Sequence, residues 1–376
     1  MSTLLDGHDV LLVVGAGGVG KTTIAATLGL RSAMRGESTL VCTIDPAKRL
    51  ANALGLQTFA NAETRVGDEI FARAGLAPGA PLYAMMLDMK HTWDALVERH
   101  APPDKRDAIL RNRFYQALSG RLAGSQEYIA MEKLWELSTR RRTQRIVLDT
   151  PPAAHALDFL DAPNRLLDFL DNDAAKWLLA PALQAGRVGL SFLSWGGGYL
   201  AKTLSRFTGA ETLQQLTDFM LAMSGMNEGF RERAHQTRAL LQAPTTAFVV
   251  VTAPMPERLS EAIAFHTTLR QNKLHVAAVV CNRVQPPVAP ELWAAAARLP
   301  DALRAPVEAT LGENERLATR DAKAVAMLRT ACAPTPVIEV PLFERDVHDL
   351  AGMWDTSRHL FGEAGSSGQD ARRPGR

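Results

Sequence analysis

A glycine-rich run that ends in a lysine and two threonines occupies residues 15–23 and reads GAGGVGKTT. It matches the pattern GxxxxGK[ST], in which glycines allow backbone N–H groups to turn inward around anionic oxygens. The lysine ammonium then reaches the β- and γ-phosphates, and the first threonine hydroxyl is a hard oxygen ligand for Mg²⁺. The predicted nucleotide-binding residues of this run are Gly17, Gly18, Val19, Gly20, Lys21, Thr22 and Thr23.

Two aspartates that follow apolar stretches complete the predicted chemistry. Asp149 ends the stretch RIVLD, and Asp45 directly follows TLVCTI. Because a carboxylate at the carboxyl end of a parallel strand faces the ligand crevice, Asp149 is predicted to organise Mg²⁺ through water, beside Thr22. Asp45 is predicted to polarise the attacking water, so that Lys21 and Asp45 are the predicted catalytic residues. Each aspartate also has a structural alternative. Asp149 would instead cap the turn after its strand, and Asp45 would instead be the N-cap of a helix over Lys48–Leu54.

The elements that must position these residues are visible as short apolar runs separated by helical stretches. The runs are nearly continuous Val, Ile and Leu without in/out alternation, which is typical of strands covered on both faces. Six strands are predicted: Asp9–Val14, Thr39–Ile44, Arg145–Leu148, Ala247–Thr252, Val276–Cys281 and Val337–Val340. The pattern predicts an α/β fold with a parallel P-loop NTPase sheet, flanking helices and a helical insertion subdomain.

The insertions are predicted from two connections that are too long for ordinary crossovers. They span about residues 80–140 and 157–243, and the first contains helical stretches near Leu82–Arg99, Lys105–Ala123 and Gln126–Arg140. We predict a single domain over residues 1–362 and a disordered tail over residues 363–376, which is rich in Gly, Ser and Arg.

Composition excludes several classes of protein. A net charge of +2 argues against a dedicated nucleic-acid binder, and 47% hydrophobic with 22% charged residues is ordinary for a globular protein. The three cysteines form no CxxC pair, which fits a reducing compartment. With no basic leader region and no charge-free apolar span of membrane length, a cytoplasmic location is expected.

These motifs, in this order, resemble those of the ArsA-type ATPases, which comprise arsenite-pump ATPases and the guided-entry ATPases that target tail-anchored proteins. The resemblance covers about residues 9–361. The matching segments are GAGGVGKTT, TIDPAKRLANALG at Thr43–Gly55, DTPPAAHALDFLDAP at Asp149–Pro163, VVCNRV at Val279–Val284 and VPLFERDVHDL at Val340–Leu350. The first three are specific in this order and spacing.

The resemblance implies a deviant Walker A ATPase that hydrolyses Mg·ATP to drive a conformational change. Asp45 would lie in switch I and orient or deprotonate the lytic water, and Asp149 to His155 would form switch II. Asn282 would bind the adenine edge, while Pro341 and Leu342 would pack near the base.

Two departures from the family pattern concern the partner subunit. The family loop usually begins with a lysine that reaches the partner's nucleotide, and here that position is Ala16. A glutamate common after the fourth core strand is replaced by Met255. The resemblance therefore implies either a homodimer or a heterodimer in which a second ArsA-type chain supplies the missing lysine.

The cargo is predicted to be a membrane protein or another hydrophobic helix. An apolar stripe at helical spacing and a methionine cluster suit such a client, and the alternative is that both are simply core of the helical subdomain. The stripe is Leu213, Leu216, Phe219, Met220, Met223, Met226 and Phe230, and the cluster is Met85, Met86 and Met89. The alternatives are an ATPase subunit that drives an arsenite or anion pump, and a MinD- or ParA-like positioning ATPase.

Overall fold

A computed structural model of the chain describes residues 4–44, 49–56, 62–118, 125–151 and 227–363. These residues form an eight-stranded sheet in the order β3-β4-β2-β5-β1-β6-β7-β8. Every neighbouring pair is parallel except β3 and β4. The strands are β1 Val10–Gly15, β2 Thr39–Thr43, β3 Thr64–Arg65, β4 Leu82–Met86, β5 Arg145–Asp149, β6 Thr246–Thr252, β7 Val276–Val284 and β8 Val337–Pro341.

Helices alternate with these strands along the chain, which confirms the predicted α/β fold class. Within the described ranges they are α1 Lys21–Met34, α2 Arg49–Ala53, α3 Asp68–Arg73, α4 Met89–His100, α5 Arg106–Arg111, α6 Arg113–Leu118, α7 Ser125–Arg140, α8 Asn227–Gln242, α9 Pro256–Gln271, α10 Pro290–Ala296, α11 Asp301–Ala331 and α12 Leu350–Leu360. All six predicted strands are present, and their ends differ from the prediction by up to three residues.

The helix predicted near Leu82–Arg99 is wrong in its first part. Residues Leu82–Met86 form β4, which pairs with β2, and the helix begins only at Met89. The side chain of Asp88 accepts a hydrogen bond from the N–H of His91 and so caps the start of α4. A short buried apolar run has no periodicity that separates strand from helix, and long-range pairing decides between them.

The three residues of the methionine cluster lie on two different elements. Met85 and Met86 lie in β4 opposite Cys42 and Thr43, and Met85 is buried. Met85 and Met86 are therefore sheet residues, while Met89 begins α4. The role of the cluster in client binding stays a prediction. The predicted helix over Lys105–Ala123 is also divided, because Asn112 adopts an extended conformation between α5 and α6.

The chain divides into two compact units. The sheet unit comprises residues 1–87, 137–156 and 241–376, and the helical unit comprises residues 88–136 and 157–240. The limits of the predicted insertions stay a prediction, since residues 152–226 lie outside the described part of the chain. No helix in the ranges that the structure describes is both long and apolar enough to span a bilayer.

A buried ion pair organises the described part of the helical unit. Arg233 on α8 pairs with Glu132 on α7, and its guanidinium stacks 4.0 Å from the ring centre of Trp135. Its other nitrogen lies 3.0 Å from Nε2 of His100 on α4. Burial raises the pKa of Glu132, while burial and then the nearby Arg233 lower the pKa of His100. One arginine thus joins three helices.

Candidate functional site

The glycine-rich loop joins β1 to α1 at the carboxyl edge of the sheet. Gly15 has φ 145°, and a Cβ there would lie 2.1 Å from the carbonyl oxygen of Val251 on the neighbouring strand. Gly20, with φ 99°, is the N-cap of α1, and no side chain caps that helix. Because the first N–H groups of a helix lack helical partners, this end of α1 is suited to an anion.

Lys21 is almost fully buried beside this loop. Its side chain is 7% exposed, and its ammonium donates a hydrogen bond to the carbonyl oxygen of Ala16 at 2.8 Å. The lysine therefore folds back over the loop that precedes it. Ala16 stands at the position where the family usually has a lysine. Its carbonyl oxygen accepts the hydrogen bond from Lys21.

Three oxygen-bearing side chains meet at the carboxyl edge of the sheet, one from the start of α1 and two from the ends of β2 and β5. The hydroxyl of Thr22 donates to Oδ2 of Asp149 at 2.7 Å, and the hydroxyl of Thr43 donates to the same oxygen at 2.8 Å. Asp149 is 2% exposed. Hydroxyl and carboxylate oxygens are the ligands that Mg²⁺ prefers, so this donor set fits that ion. Thr43 was not predicted from the sequence as a site residue.

A cavity of about 460 Å³ opens in front of these residues within the sheet unit. Its size is that of an ordinary small-molecule site. Nine of the predicted site residues line it, namely Gly18, Gly20, Lys21, Thr22, Thr23, Asp149, Asn282, Pro341 and Leu342. Gly17 and Val19 are not part of its lining, and Val19 is buried beneath the loop.

The cavity extends along the sheet edge from the loop to the end of β8. Strand β8 is three positions away from β1 in the sheet, which corresponds to about 14 Å between the two strand ends. The segment after β8 lines this far end with Leu342, Phe343 and His348, among others. An elongated ligand with its anionic end at α1 would therefore place its other end against this segment.

Asn282 lies between the two ends and contacts the loop itself. Its Nδ2 donates to the carbonyl oxygen of Val19 at 2.9 Å, and its Oδ1 accepts the N–H of Arg283 at 3.0 Å. Arg283 has φ 61°, where a non-glycine residue is uncommon, and the register of β7 against β8 shifts here. Bulges of this kind often re-aim side chains next to functional sites. The adenine contact implied for Asn282 stays a prediction.

Several lining residues were not identified from the sequence. They are Asn52, Ala53, Thr150, Arg283, Phe343, Arg345, Asp346, Val347, His348 and Thr356. Five of them lie within VPLFERDVHDL, so that motif was the available signal for Phe343 through His348. Four more lie in the other quoted motifs, namely Asn52 and Ala53 in Thr43–Gly55, Thr150 in Asp149–Pro163 and Arg283 in Val279–Val284. Thr356 lies outside all of these motifs, and no local pattern distinguishes it.

Other predicted features fall outside the cavity or outside the described residues. Asp45 and His155 belong to segments that the structure does not describe, as does the apolar stripe from Leu213 to Met226. Met255 is 47% exposed at the start of α9. The tail prediction also falls on undescribed residues, except for Glu363, which pairs with Arg31.

The three cysteines do not assemble a thiolate site. Cys42, Cys281 and Cys332 are all buried, and burial raises the pKa of Cys281 to about 12. Among the residues that the structure describes, no group of three or more His, Cys, Asp or Glu side chains is arranged to hold a metal ion.

Comparison with known proteins shows similarity to ATPases. A family model described as anion-transporting ATPase matches residues 8–186. The chain is 26% identical over 310 residues to the ATPase GET3B of Arabidopsis thaliana, an alignment that covers 77% of this chain and 68% of the relative. It is 33% identical over 156 residues to an ATPase ASNA1 homolog of Cryptosporidium parvum, covering 42% and 38%. It is 26% identical over 261 residues to the ATPase get3 of Schizosaccharomyces japonicus, covering 69% and 68%.

Proposed function

We propose that this chain is an ATP hydrolase of the ArsA type that binds Mg·ATP in the cavity between α1 and β8. Turnover would drive conformational switching. The observation that carries the proposal is the contact between Thr22 and Asp149 beside the buried Lys21 and the uncapped start of α1.

The proposed roles follow from the chemistry of each group. The amides at the start of α1 and the Lys21 ammonium bind the triphosphate oxygens, since both carry positive charge in a largely water-excluded place. Thr22 and Asp149 would hold Mg²⁺, which neutralises charge that develops on the phosphates. We propose Asp45 as the residue that orients the attacking water.

Calorimetry with Mg·ATP tests this assignment directly. Lys21→Ala should weaken nucleotide binding strongly, because it removes the buried cation. Asp149→Asn should bind ATP without Mg²⁺ as tightly as the wild type does. Added Mg²⁺ should no longer increase its affinity for ATP. Asp45→Asn should abolish turnover and mostly keep binding. Wild-type protein that takes up no Mg·ATP would contradict the whole proposal, and equal loss of binding in Lys21→Ala and Asp45→Asn would remove Asp45 from its catalytic role.

We propose a hydrophobic helix or membrane protein as the client. The support is the similarity to the ArsA-type family together with the apolar stripe predicted in the second insertion. Met85 does not contribute, because it is buried in the sheet. A fluorescent tail-anchor peptide should bind more tightly when a non-hydrolysable ATP analogue is added. A scrambled peptide of equal composition but without a continuous apolar face is the control. Equal affinity with and without the analogue would exclude this client.

A pump-driving role for an oxyanion is the second candidate, and the description of the matching family model favours it. Arsenite requires accessible thiolates, and all three cysteines are buried. We therefore expect arsenite to leave ATP turnover unchanged. Stimulation by arsenite that disappears in a variant with all three cysteines replaced by alanine would reverse this preference.

We propose that the working unit is a dimer in the cytoplasm. Because Ala16 stands where the family carries a lysine, a second ArsA-type chain would supply that contact in a heterodimer. Ala16→Lys should then raise the ATP turnover of the isolated chain. Sedimentation with and without nucleotide measures the association. Unchanged turnover in Ala16→Lys, with a nucleotide-dependent homodimer already present in the wild type, would favour a self-sufficient homodimer.

A further inference from the structure

Buried threonines mark the carboxyl ends of three central strands of the described sheet. Thr43 ends β2, Thr150 follows β5 and Thr252 ends β6, and each is at most 5% exposed. The hydroxyls of Thr150 and Thr252 each donate to a backbone carbonyl 2.9 Å away. The hydroxyl of Thr43 instead donates to the carboxylate of Asp149. Of these three threonines, Thr43 is the one whose hydroxyl donates to a side chain of the site, the carboxylate of Asp149.

The sheet holds the backbone of Thr43 on both sides. Its Cα is in register with Asp149 on β5 and with Met86 on β4, and its carbonyl oxygen accepts the N–H of Leu87 at 2.8 Å. The side chain is 1% exposed. The position of its hydroxyl is therefore set by the strand pairing, and a β-branched side chain has little rotational freedom of its own.

Two hydroxyls from different elements thus converge on one oxygen of Asp149. Thr22 approaches from α1 at 2.7 Å and Thr43 from β2 at 2.8 Å. Two fixed donors restrict rotation of the carboxylate about its Cβ–Cγ bond, which a single donor does not achieve. Beyond Thr43, the chain passes through Ile44 directly to Asp45.

We infer that Thr43 is a positioning residue, which holds the Asp149 carboxylate in the orientation that organises Mg²⁺ beside Thr22. The inference rests on the proposed function of this cavity. Through the hydroxyl of Thr43, it also links the strand that leads to the proposed water-orienting Asp45 with the carboxylate beside the metal ion.

Thr43→Val removes the donor and keeps the shape of the side chain. Partners that orient a metal ligand typically contribute tenfold or more to metal affinity or activity, so we expect metal affinity to fall by about tenfold. The affinity for the nucleotide without metal should stay the same, because Lys21 and the α1 amides are untouched. Thr43→Ser keeps the hydroxyl and should restore wild-type values.

The experiment measures Mn²⁺ binding to the chain with ADP by electron paramagnetic resonance, together with the Mg²⁺ dependence of ATP turnover. Thr39→Val is the matched control. Thr39 is a buried threonine of the same strand, about 13 Å away, and its hydroxyl contacts Ser32 and Glu37. Its loss removes a comparable buried hydrogen bond but should leave Mn²⁺ binding at the wild-type level.

The outcomes separate the inference from the function on which it rests. Wild-type Mn²⁺ affinity in Thr43→Val, or an equal loss in Thr39→Val, would overturn the positioning role and leave the ATPase assignment intact. A wild-type chain that binds neither Mg·ATP nor Mn·ADP would overturn both. Should the valine variant not fold, Thr43→Cys provides the same comparison, because a thiol of similar volume is a weak donor.

Discussion

At the scale of single residues, the phosphate loop depends on close approaches that only glycine permits. Gly15 passes the main chain of β6, and a Cβ on Gly20 would lie 2.3 Å from Nδ2 of Asn282. The Asn282 amide occupies that space because it binds the carbonyl of Val19. The glycines of the motif therefore serve two purposes. They allow the turn itself, and they leave space for the Asn282 side chain to reach the loop from β7.

Gly20→Ala should abolish binding of Mg·ATP. The new methyl group meets Asn282 and also has to adopt φ 99°, so the loop must move away from its anion-binding shape. Gly36→Ala is the control, because Gly36 has φ 86° with open space at its Cβ position. It should lower stability by about 1 kcal/mol through backbone strain and leave binding unchanged. Calorimetry and thermal unfolding measure both effects, and normal nucleotide affinity in Gly20→Ala would contradict this account.

At the scale of elements, α1 is secured by the C-terminal helix. Arg31 forms two hydrogen bonds with Glu363 just beyond α12. Its guanidinium also lies 5.2 Å from the ring centre of Trp354 and 5.0 Å from that of Phe361. Since α1 begins with Lys21 and Thr22, and Thr356 of α12 lines the cavity, this contact joins two walls of the proposed nucleotide site.

Arg31→Ala should lower the free energy of unfolding by about 1–3 kcal/mol, because it removes a bidentate ion pair and two cation–π contacts. Affinity for ATP should fall as well. Arg35→Ala provides the comparison, since Arg35 is the C-cap of α1 and pairs at the surface with Asp6, at 2.7 Å. It should change stability by less than about 1 kcal/mol and leave affinity unaltered. Urea unfolding and calorimetry distinguish the variants, and equal effects of both would argue against a special role for Arg31.

At the scale of the whole molecule, four histidines make both compact units sensitive to acid. The pKa values of His8, His100, His266 and His359 are lowered, and burial is the main cause in each case. His100 belongs to the helical unit and the other three to the sheet unit. A neutral imidazole at His100 accepts from Arg233, and His266 lies 2.9 Å from the hydroxyl of Thr335.

Stability should fall as the pH drops below about 6.5, the ordinary histidine pKa. The unfolded chain binds protons in that range more readily than the folded chain, so unfolding takes up protons and acid favours it. Each histidine contributes at most about 1.4 kcal/mol per pH unit. Urea unfolding between pH 7.5 and 5.5 should show this slope, and His266→Gln should reduce it. An identical slope in that variant would exclude His266 as a contributor.

The sequence by itself determined the features that depend on neighbouring residues. The phosphate loop, the strand before it and the helix after it occupy one continuous stretch, so motif and periodicity identify them together. The six apolar runs were sufficient for the parallel sheet, because strands covered on both faces carry no polar alternation. The motif order also indicated the family.

Only the tertiary structure decided which distant residues meet. Thr43 and Asp149 are separated by 106 positions and Asn282 and Val19 by 263, so their contacts depend on strand order and register. Leu82–Met86 became a strand for the same reason, since pairing with β2 outweighs the local preference of a short apolar run. Local sequence patterns reflect only the interactions within one segment. The contacts described here form when the sheet brings separate segments to the same edge.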